Sequence, residues 1–442
     1  MAEPVPNDDR MTIADLRNLW RILSPDERLD GWKLLTHDEA EDYFFALGPA
    51  DRASLMLEMP KNERRAWLRI LPPDDAADVI QHVPEAERAA LLTLLDDLTR
   101  HEVTALLVYA QDAAGGLMNP RYARLRPEMT VDEAIGYLRR QARTNLELLS
   151  YLYAIDVDQR LLGVVSFREL FAAQPERTVS EVMRRDLVTV REDQDQEEVS
   201  RILAQHDLIA LPVVDREGRM KGIVTVDDIV DVVQAEATED IQKLGGMEAL
   251  DQPYLEIAFG RMFRRRAGWL AVLFIGELLT ATAMAWFEQE LARAIVLSLF
   301  VPLIISSGGN SGSQASTLVV RAMSLGEVQL RDWWRVVRRE LGAGLALGTL
   351  LGSLGFLRVV IWQVVWPVYG DHFLLIASTV GASLLGVVMF GTFAGSLLPF
   401  LFRRLGVDPA SASAPFVATL VDVSGLVIYF TAASLILRGT LL

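Results

Sequence analysis

The chain contains no cysteine, which excludes disulfide frameworks, thiolate metal sites and catalysis by a cysteine nucleophile. Lysine stops at Lys243, and acidic residues thin out sharply soon after. Met1 to Gly260 holds 50 acidic and 29 basic residues, whereas Arg261 to Leu442 holds 9 and 14, so the two parts carry −21 and +5. The net negative charge of the acidic part argues against nucleic acid as its partner. The opening MAEPVPNDDR lacks a basic region followed by an apolar one, so no cleavable secretory signal is expected and the acidic part is expected in the cytoplasm. The span motifs lack a paired acid and base, or a nucleophile with a partner histidine, which argues against an enzyme.

At 442 residues there is room for two or three domains. From about Thr12 to Tyr109 the text is helical and repetitive. ADRASLMLEMP, KNERRAWLRILPP, DDAADVIQHVP and EAERAALLTLLDD each set apolar residues at helical spacing, with Pro60, Pro72, Pro73 and Pro84 between them. This predicts a stack of short helices, a solenoid-like module over residues 1–117. Its carboxylates Asp74, Asp75, Asp78, Glu85 and Glu87 read either as helix N-terminal and solvated charges or as metal contacts.

A second repeat follows. LMNPRYARLRPEMTVDEAIGYL and VMRRDLVTVREDQDQEEVSRIL align at an offset of 65, pairing Met118 with Met183 and Leu125 with Val190. Each copy continues into β-rich runs, YAIDVDQRLLGVVSFREL and ALPVVDREGRMKGIVTVDDIV. Here the chain resembles a tandem CBS-domain pair, with copies at 118–177 and 178–233. The resemblance implies sensing, commonly of an adenine nucleotide such as ATP, with a hydroxyl and a carboxylate three residues apart on the ribose. Thr225 and Asp228 match that pattern; Ser166 with Glu169 matches it loosely. A T-x-x-D is equally a helix N-cap.

Residues 234–266 form a connector whose acids crowd against an arginine cluster, Arg261 and Arg264 to Arg266. Five apolar stretches follow, at about 267–287, 292–323, 341–366, 373–402 and 411–437, each long enough to cross a ~30 Å hydrocarbon core. Arginines at 261–266, 331–339 and 403–404 fall on one side, which predicts a multi-pass inner-membrane protein with its N-terminus cytoplasmic and its C-terminus outside. LRDWWRVVRREL reads as an interfacial amphipathic helix on the cytoplasmic side.

The second stretch reads FVPLIISSGGNSGSQASTLVV. Close packing explains Gly308, Gly309 and Gly312. It does not explain Asn310 and Gln314, four apart on one helical face, whose amides need partners in hydrocarbon. Pro302 and the double glycine predict weakened backbone pairing beside a wet path. Asp422 is the one charge of the fifth stretch, and a carboxylate at that depth costs on the order of 3 kcal/mol. Pairing with Arg358 would make it structural; otherwise it marks a cation pathway. Oxygen ligands without cysteine favour a hard ion, Mg²⁺, Ca²⁺ or Mn²⁺. A homodimer would bring two Asp422 side chains to one axis.

The order of parts, and above all FVPLIISSGGNSGSQASTLVVRA, RRLGVDPA and ATLVDVSGLVIYF, resembles the MgtE family of magnesium channels. The fold is therefore expected to be multi-domain: an all-α N-terminal module, an α/β CBS pair and a five-helix transmembrane domain. The resemblance implies a homodimeric Mg²⁺ pore in the lipid bilayer, with Asp422 on the hydrated ion, the Ala418 carbonyl and Asn310 nearby, Gly309 and Gln314 along the path, and Asp408 at the cytoplasmic mouth. It also implies gating by Mg²⁺ bound among carboxylates, for which Asp74, Asp75, Asp78, Asp227, Asp228, Asp231, Glu236, Glu239, Asp240 and Asp251 are the candidates. By the same resemblance, Ala414 stands where some relatives carry a polar residue, so the cytoplasmic mouth is expected to be poorer in ligands here. A broader carrier of Co²⁺, Mn²⁺ or Ni²⁺ and a non-conducting CBS-type sensor remain as alternatives.

Overall fold

The computed structural model describes residues 12–141, 150–250, 252, 254, 255 and 257–441. They form two compact units, Met1–Gln234 and Ala235–Leu442.

The first unit begins with eight short helices: α1 (Ile13–Leu19), α2 (Pro25–Lys33), α3 (His37–Ala46), α4 (Pro49–Glu58), α5 (Lys61–Ile70), α6 (Pro73–His82), α7 (Glu85–Leu92) and α8 (Asp97–Leu106). Local sequence sets their starts. Thr12, Ser24 and Thr36 close capping boxes on Asp15, Glu27 and Glu39, and prolines open α4 and α6 where a missing N–H costs nothing. The repeat is a helix pair, and arginine marks it. Arg28 Nε donates to the Trp20 carbonyl at 2.7 Å and Arg52 Nε to the Phe44 carbonyl at 2.9 Å, 24 residues on. The same guanidinium groups reach the next pair, Arg28 to Asp51 at 3.7 Å and Arg52 to Asp75 at 2.6 Å. Each repeat thus ties its own helices together and clamps its neighbour, as stacked units must.

After α9 (Ala114–Leu117) come β1 (Arg124–Leu125), α10 (Val131–Gln141), β2 (Tyr151–Ile155), β3 (Leu161–Ser166), α11 (Phe167–Ala172) and α12 (Val179–Val182), then β4 (Val190–Arg191), α13 (Gln196–Gln205), β5 (Ala210–Val214) and β6 (Met220–Thr225). The two three-stranded sheets share one topology, a parallel first pair and an antiparallel hairpin. Leu125 pairs with Ala154 as Val190 pairs with Val213. The first strands therefore repeat at the offset of 65 expected from sequence, while the hairpins repeat at 59.

Helix α14 (Val226–Leu244) carries the chain out of the first unit. The second unit holds α15 (Phe259–Trp286), α16 (Glu288–Arg293), α17 (Val301–Ser324), α18 (Trp333–Val365), α19 (Phe373–Arg404) and α20 (Ala414–Ile436). All of these except α16 belong to the five segments that, among the described residues, are long and apolar enough to cross a membrane. Two expectations are corrected. The segment LRDWWRVVRREL is not a separate interfacial helix: after a 3-10 turn at Leu330–Asp332 it runs into α18 without a break. Helix α17 is also continuous. Pro302 sits in its first turn, and its glycines serve packing. A methyl group on Gly312 would stand 2.7 Å from both the Gly391 carbonyl oxygen and Val417 Cγ1, so α17, α19 and α20 approach at backbone distance.

Candidate functional site

Helices α17 and α20 run antiparallel, and serines fix their register. Ser313 Oγ donates to the Ala414 carbonyl at 3.1 Å and Ser316 Oγ to the Ala412 carbonyl at 2.6 Å. A methyl group on Gly309 would meet Ala418 Cβ at 3.5 Å, an ordinary contact. Gly309 and Ala418 are thus brought together, and Asp422, one turn beyond Ala418, lies one turn further along the pair. Asn310 and Gln314 lie on the exposed side of α17 with Ser306, Thr317 and Arg321. Helical spacing makes these a polar stripe along a helix of membrane length. Among the described residues no helix covers that stripe.

Asp422 is half-buried, and its neighbour was not foreseen. Helix α15 runs beside α20: Trp269 Nε1 donates to Ser413 Oγ at 3.4 Å, and a methyl on Gly276 would stand 2.8 Å from Thr419 Cγ2. The next residue, Glu277, comes within hydrogen-bonding reach of the Asp422 carboxyl. The signal was present in the sequence, a lone glutamate in the apolar run AVLFIGELLTA, and it has the same meaning there as Asp422 has in α20. Arg358, considered as a partner for Asp422, is engaged elsewhere. Its guanidinium lies 3.5 Å from the centre of the Trp362 ring and 3.4 Å from the Tyr369 hydroxyl. Two carboxyl groups side by side in an apolar bundle call for a proton or a cation.

At the other end of the bundle, Asp408 Oδ1 accepts from the Ala410 amide at 2.8 Å and opens the turn before α20. Its Oδ2 takes a 2.5 Å hydrogen bond from Lys243. Lys243 also pairs with Glu239, and Asp240 accepts from Ser324 Oγ at 2.9 Å. Burial opposes the Lys243 charge, yet the hydrogen bonds to Asp408 and Glu239 hold its pKa above the ordinary range. Burial, with the charge of Asp408 behind it, raises that of Asp240 against the hydrogen bond from Ser324.

Of the carboxylates proposed from sequence in the first unit, three converge although some 150 residues separate them. Burial, then the charges of Asp75 and Asp228, push the Asp78 carboxyl up to about 7. Asp228 is pushed up to about 6 by burial and by Asp227 and Asp75, against the hydrogen bond from Thr225. Asp75 is held by Arg52, and Asp74 Oδ1 accepts from Asn119 Nδ2 at 3.2 Å. Asp227 and Asp231 are exposed on α14, where Glu236 also lies; Asp251 falls outside the described residues. Among the described residues no three acidic or histidine side chains converge as a metal's direct ligands would.

Thr225 Oγ1 donates to Asp228 at 2.7 Å at the start of α14, the capping geometry rather than an open ribose clamp. A cavity between the two sheets is lined instead by Tyr151, Tyr153, Ser166, Glu169, Arg184 and Asp186, among others. Among the described residues the buried Tyr153 hydroxyl has no hydrogen-bond partner.

A family model described as "Divalent cation transporter" matches residues 301–432, one described as "MgtE intracellular N domain" matches 11–112, and the CBS domain matches 114–176 and 179–235. The "Magnesium transporter MgtE" of Thermus thermophilus is 46% identical over 346 residues, covering 78% of this chain and 75% of that protein. The chain belongs to the MgtE family. The Bacillus subtilis "Magnesium transporter MgtE" is 34% identical, covering 75% and 71% of the two chains. A solved structure, "Crystal structure of the cytosolic domain of the Mg2+ channel MgtE in complex with ATP", is 42% identical, covers 51% of this chain and 91% of that one, and superposes with a TM-score of 0.47. With five helices of spanning length and MgtE membership, the chain is a multi-pass membrane protein. The transporter match takes in α17 through most of α20, so Asn310, Gln314, Asp408, Ala418 and Asp422 fall within MgtE sequence; Glu277 precedes it.

Proposed function

We infer that this chain conducts Mg²⁺ across the membrane along the polar face of α17 and past Asp422. The observation that carries the reading is that stripe, Asn310 and Gln314 above all, standing at membrane depth beside a carboxyl pair and left open by the chain's own helices. Lipid is an unfavourable neighbour for amides. A second copy facing it across a two-fold axis encloses a wet path and brings two Asp422 carboxylates to one hydrated ion. Names of the MgtE relatives support magnesium as the cargo.

In this reading residues 1–117 and 118–233 are the sensor, 234–266 the coupling segment and 267–442 the pore, with the N-terminus cytoplasmic and the C-terminus outside. Cytoplasmic Mg²⁺ screens carboxylates such as Asp78 and Asp228 and favours the compact, closed form. When it falls, their repulsion favours opening. The cavity between the CBS sheets is the proposed place for an adenine nucleotide, with Tyr151 and Tyr153 toward the base and Arg184, which pairs with Glu169 in this structure, toward phosphate. This moves the proposed nucleotide contacts from Thr225 and Asp228 to the side that bears Ser166 and Glu169.

The test is Mg²⁺ uptake into proteoliposomes by wild type and Asp422→Ala, repeated with Co²⁺, Mn²⁺ and Ni²⁺ as competitors. Wild-type flux lost in the variant supports the pathway. Undiminished flux in Asp422→Ala removes it, equal flux of all four ions favours the broader carrier, and no wild-type flux favours a non-conducting sensor.

A further inference from the structure

The connector is acidic, yet its contact with Asp408 is made by a cation. Lys243 lies in the last turn of α14, and its ammonium group lies 2.5 Å from Asp408 Oδ2 while also pairing with Glu239 one turn back. Its side chain is 25% exposed and that of Asp408 35%. The rest of the connector's end is built to stay there. Asp240 accepts from Ser324, the last residue of α17. Gln242 Oε1 accepts from the Leu250 amide at 2.6 Å. Gly246, at φ +72°, turns the chain where a side chain would be strained and would meet both Trp269 and Pro415 at 3.1 Å. Glu239, Asp240 and Asp408 are thus gathered around one lysine, all within the second unit.

We propose that Lys243 is a tethered counter-cation that latches the connector onto Asp408 and holds the pathway shut. It supplies from the chain itself the positive charge that a free divalent ion would otherwise have to bring to that carboxylate. The closed arrangement then needs less cytoplasmic Mg²⁺, and withdrawal of α14 uncovers Asp408 for the passing ion in the same movement. This rests on the ion-pathway reading above and names a regulatory residue for it.

The full-length protein is tested in two ways. In proteoliposomes, Lys243→Gln is expected to raise the Mg²⁺ concentration needed for half-closure about two- to fivefold, the range a half-exposed ion pair supports, while Lys243→Arg stays near wild type. Lys243→Gln should add nothing on an Asp408→Asn background, as coupled partners require. Because the chain has no cysteine, Leu244→Cys gives a single thiol at the latch, and its labelling should quicken when Lys243→Gln is added. The latch is overturned if half-closure and labelling are both unmoved, or if the glutamine variant closes more readily. A wild type without flux would sink the pathway reading alone, since labelling reports the latch independently of ion movement.

Discussion

Carboxylates keep different company in the helical module and in the interior of the membrane bundle. In the helical module they come with arginine: Asp51 with Arg28, Asp75 with Arg52 and Glu102 with Arg121. In the membrane bundle Asp422 has Glu277 beside it, and Arg358 is turned to Trp362 and Tyr369. An acid with a guanidinium partner is explained by folding, because breaking such a buried pair leaves a charge uncompensated. An acid whose neighbour is another acid is not, and its presence asks for a proton or a cation. Asp78 and Asp228 stand between these cases, since Asp75 has already engaged Arg52.

The comparison breaks most completely if the bundle is destroyed while the acidic unit is left alone. Gly312→Leu forces four carbons into a space where even one stands 2.7 Å from the Gly391 carbonyl oxygen. Overpacking of that kind costs about 3 kcal/mol or more. The expected outcome on size-exclusion chromatography in detergent is no monodisperse full-length protein, with residues 1–234 expressed alone unaffected. A normal elution profile would mean that α17 and α19 do not approach as closely as described. Removing residues 1–250 asks the converse. Flux should persist and its dependence on cytoplasmic Mg²⁺ should vanish, read as a dose curve that becomes flat; a preserved curve would locate the sensor in the bundle.

Much of this was legible beforehand, for physical reasons that differ from part to part. The CBS strands were placed because a repeat constrains both copies at once: Leu125 and Val190 hold equivalent positions in their sheets. Asp422 stands out in the sequence because one charge in an apolar run is conspicuous, and Glu277 meets the same criterion. The Arg52–Asp75 clamp was hidden because arginines and aspartates are common on any helical surface, and only the stacking shows which are buried. Lys243 and Asp408, 165 residues apart, left no local signal at all. The continuity of α17 was not legible because Pro302 and the Gly308–Gly309 pair suggest weakness when read alone, whereas Pro302 falls in the first turn and Gly308 packs against α19 and α20.

Protonation gives a smaller effect that sharpens the intermediate case. The folded-state carboxyl of Asp78 is pushed up to about 7 and that of Asp228 to about 6, from an ordinary 3.8. Each therefore favours the folded arrangement in its protonated form. That contribution is largest at low pH and is lost as pH rises from about 4 through 7. Without divalent ions, hydrogen exchange in α6 (Pro73–His82) should quicken across that range. Added Mg²⁺ should suppress the change, and Asp78→Asn should flatten it. Exchange that slows as pH rises, after correction for intrinsic rates, would contradict the burial of these groups.

The smallest expected difference separates two polar residues on one helix. Ser316 is 1% exposed and donates to the Ala412 carbonyl, whereas Asn310 stands on the open stripe. Ser316→Ala should lower the thermal midpoint by a few degrees, matching about 1 kcal/mol for a lost buried hydrogen bond, and leave ion flux alone. Asn310→Ala should leave the midpoint alone and change flux or its selectivity several-fold. The pair is informative because both residues are small polar groups in the same glycine-rich segment, so composition alone assigns them the same role. If stability follows Asn310 and flux follows Ser316, the open face of α17 is a packing surface for another protein chain and the path lies elsewhere. If the outcomes fall as expected, the stripe faces water, and amides at membrane depth are tolerated there because hydrated ions replace the partners that lipid cannot provide.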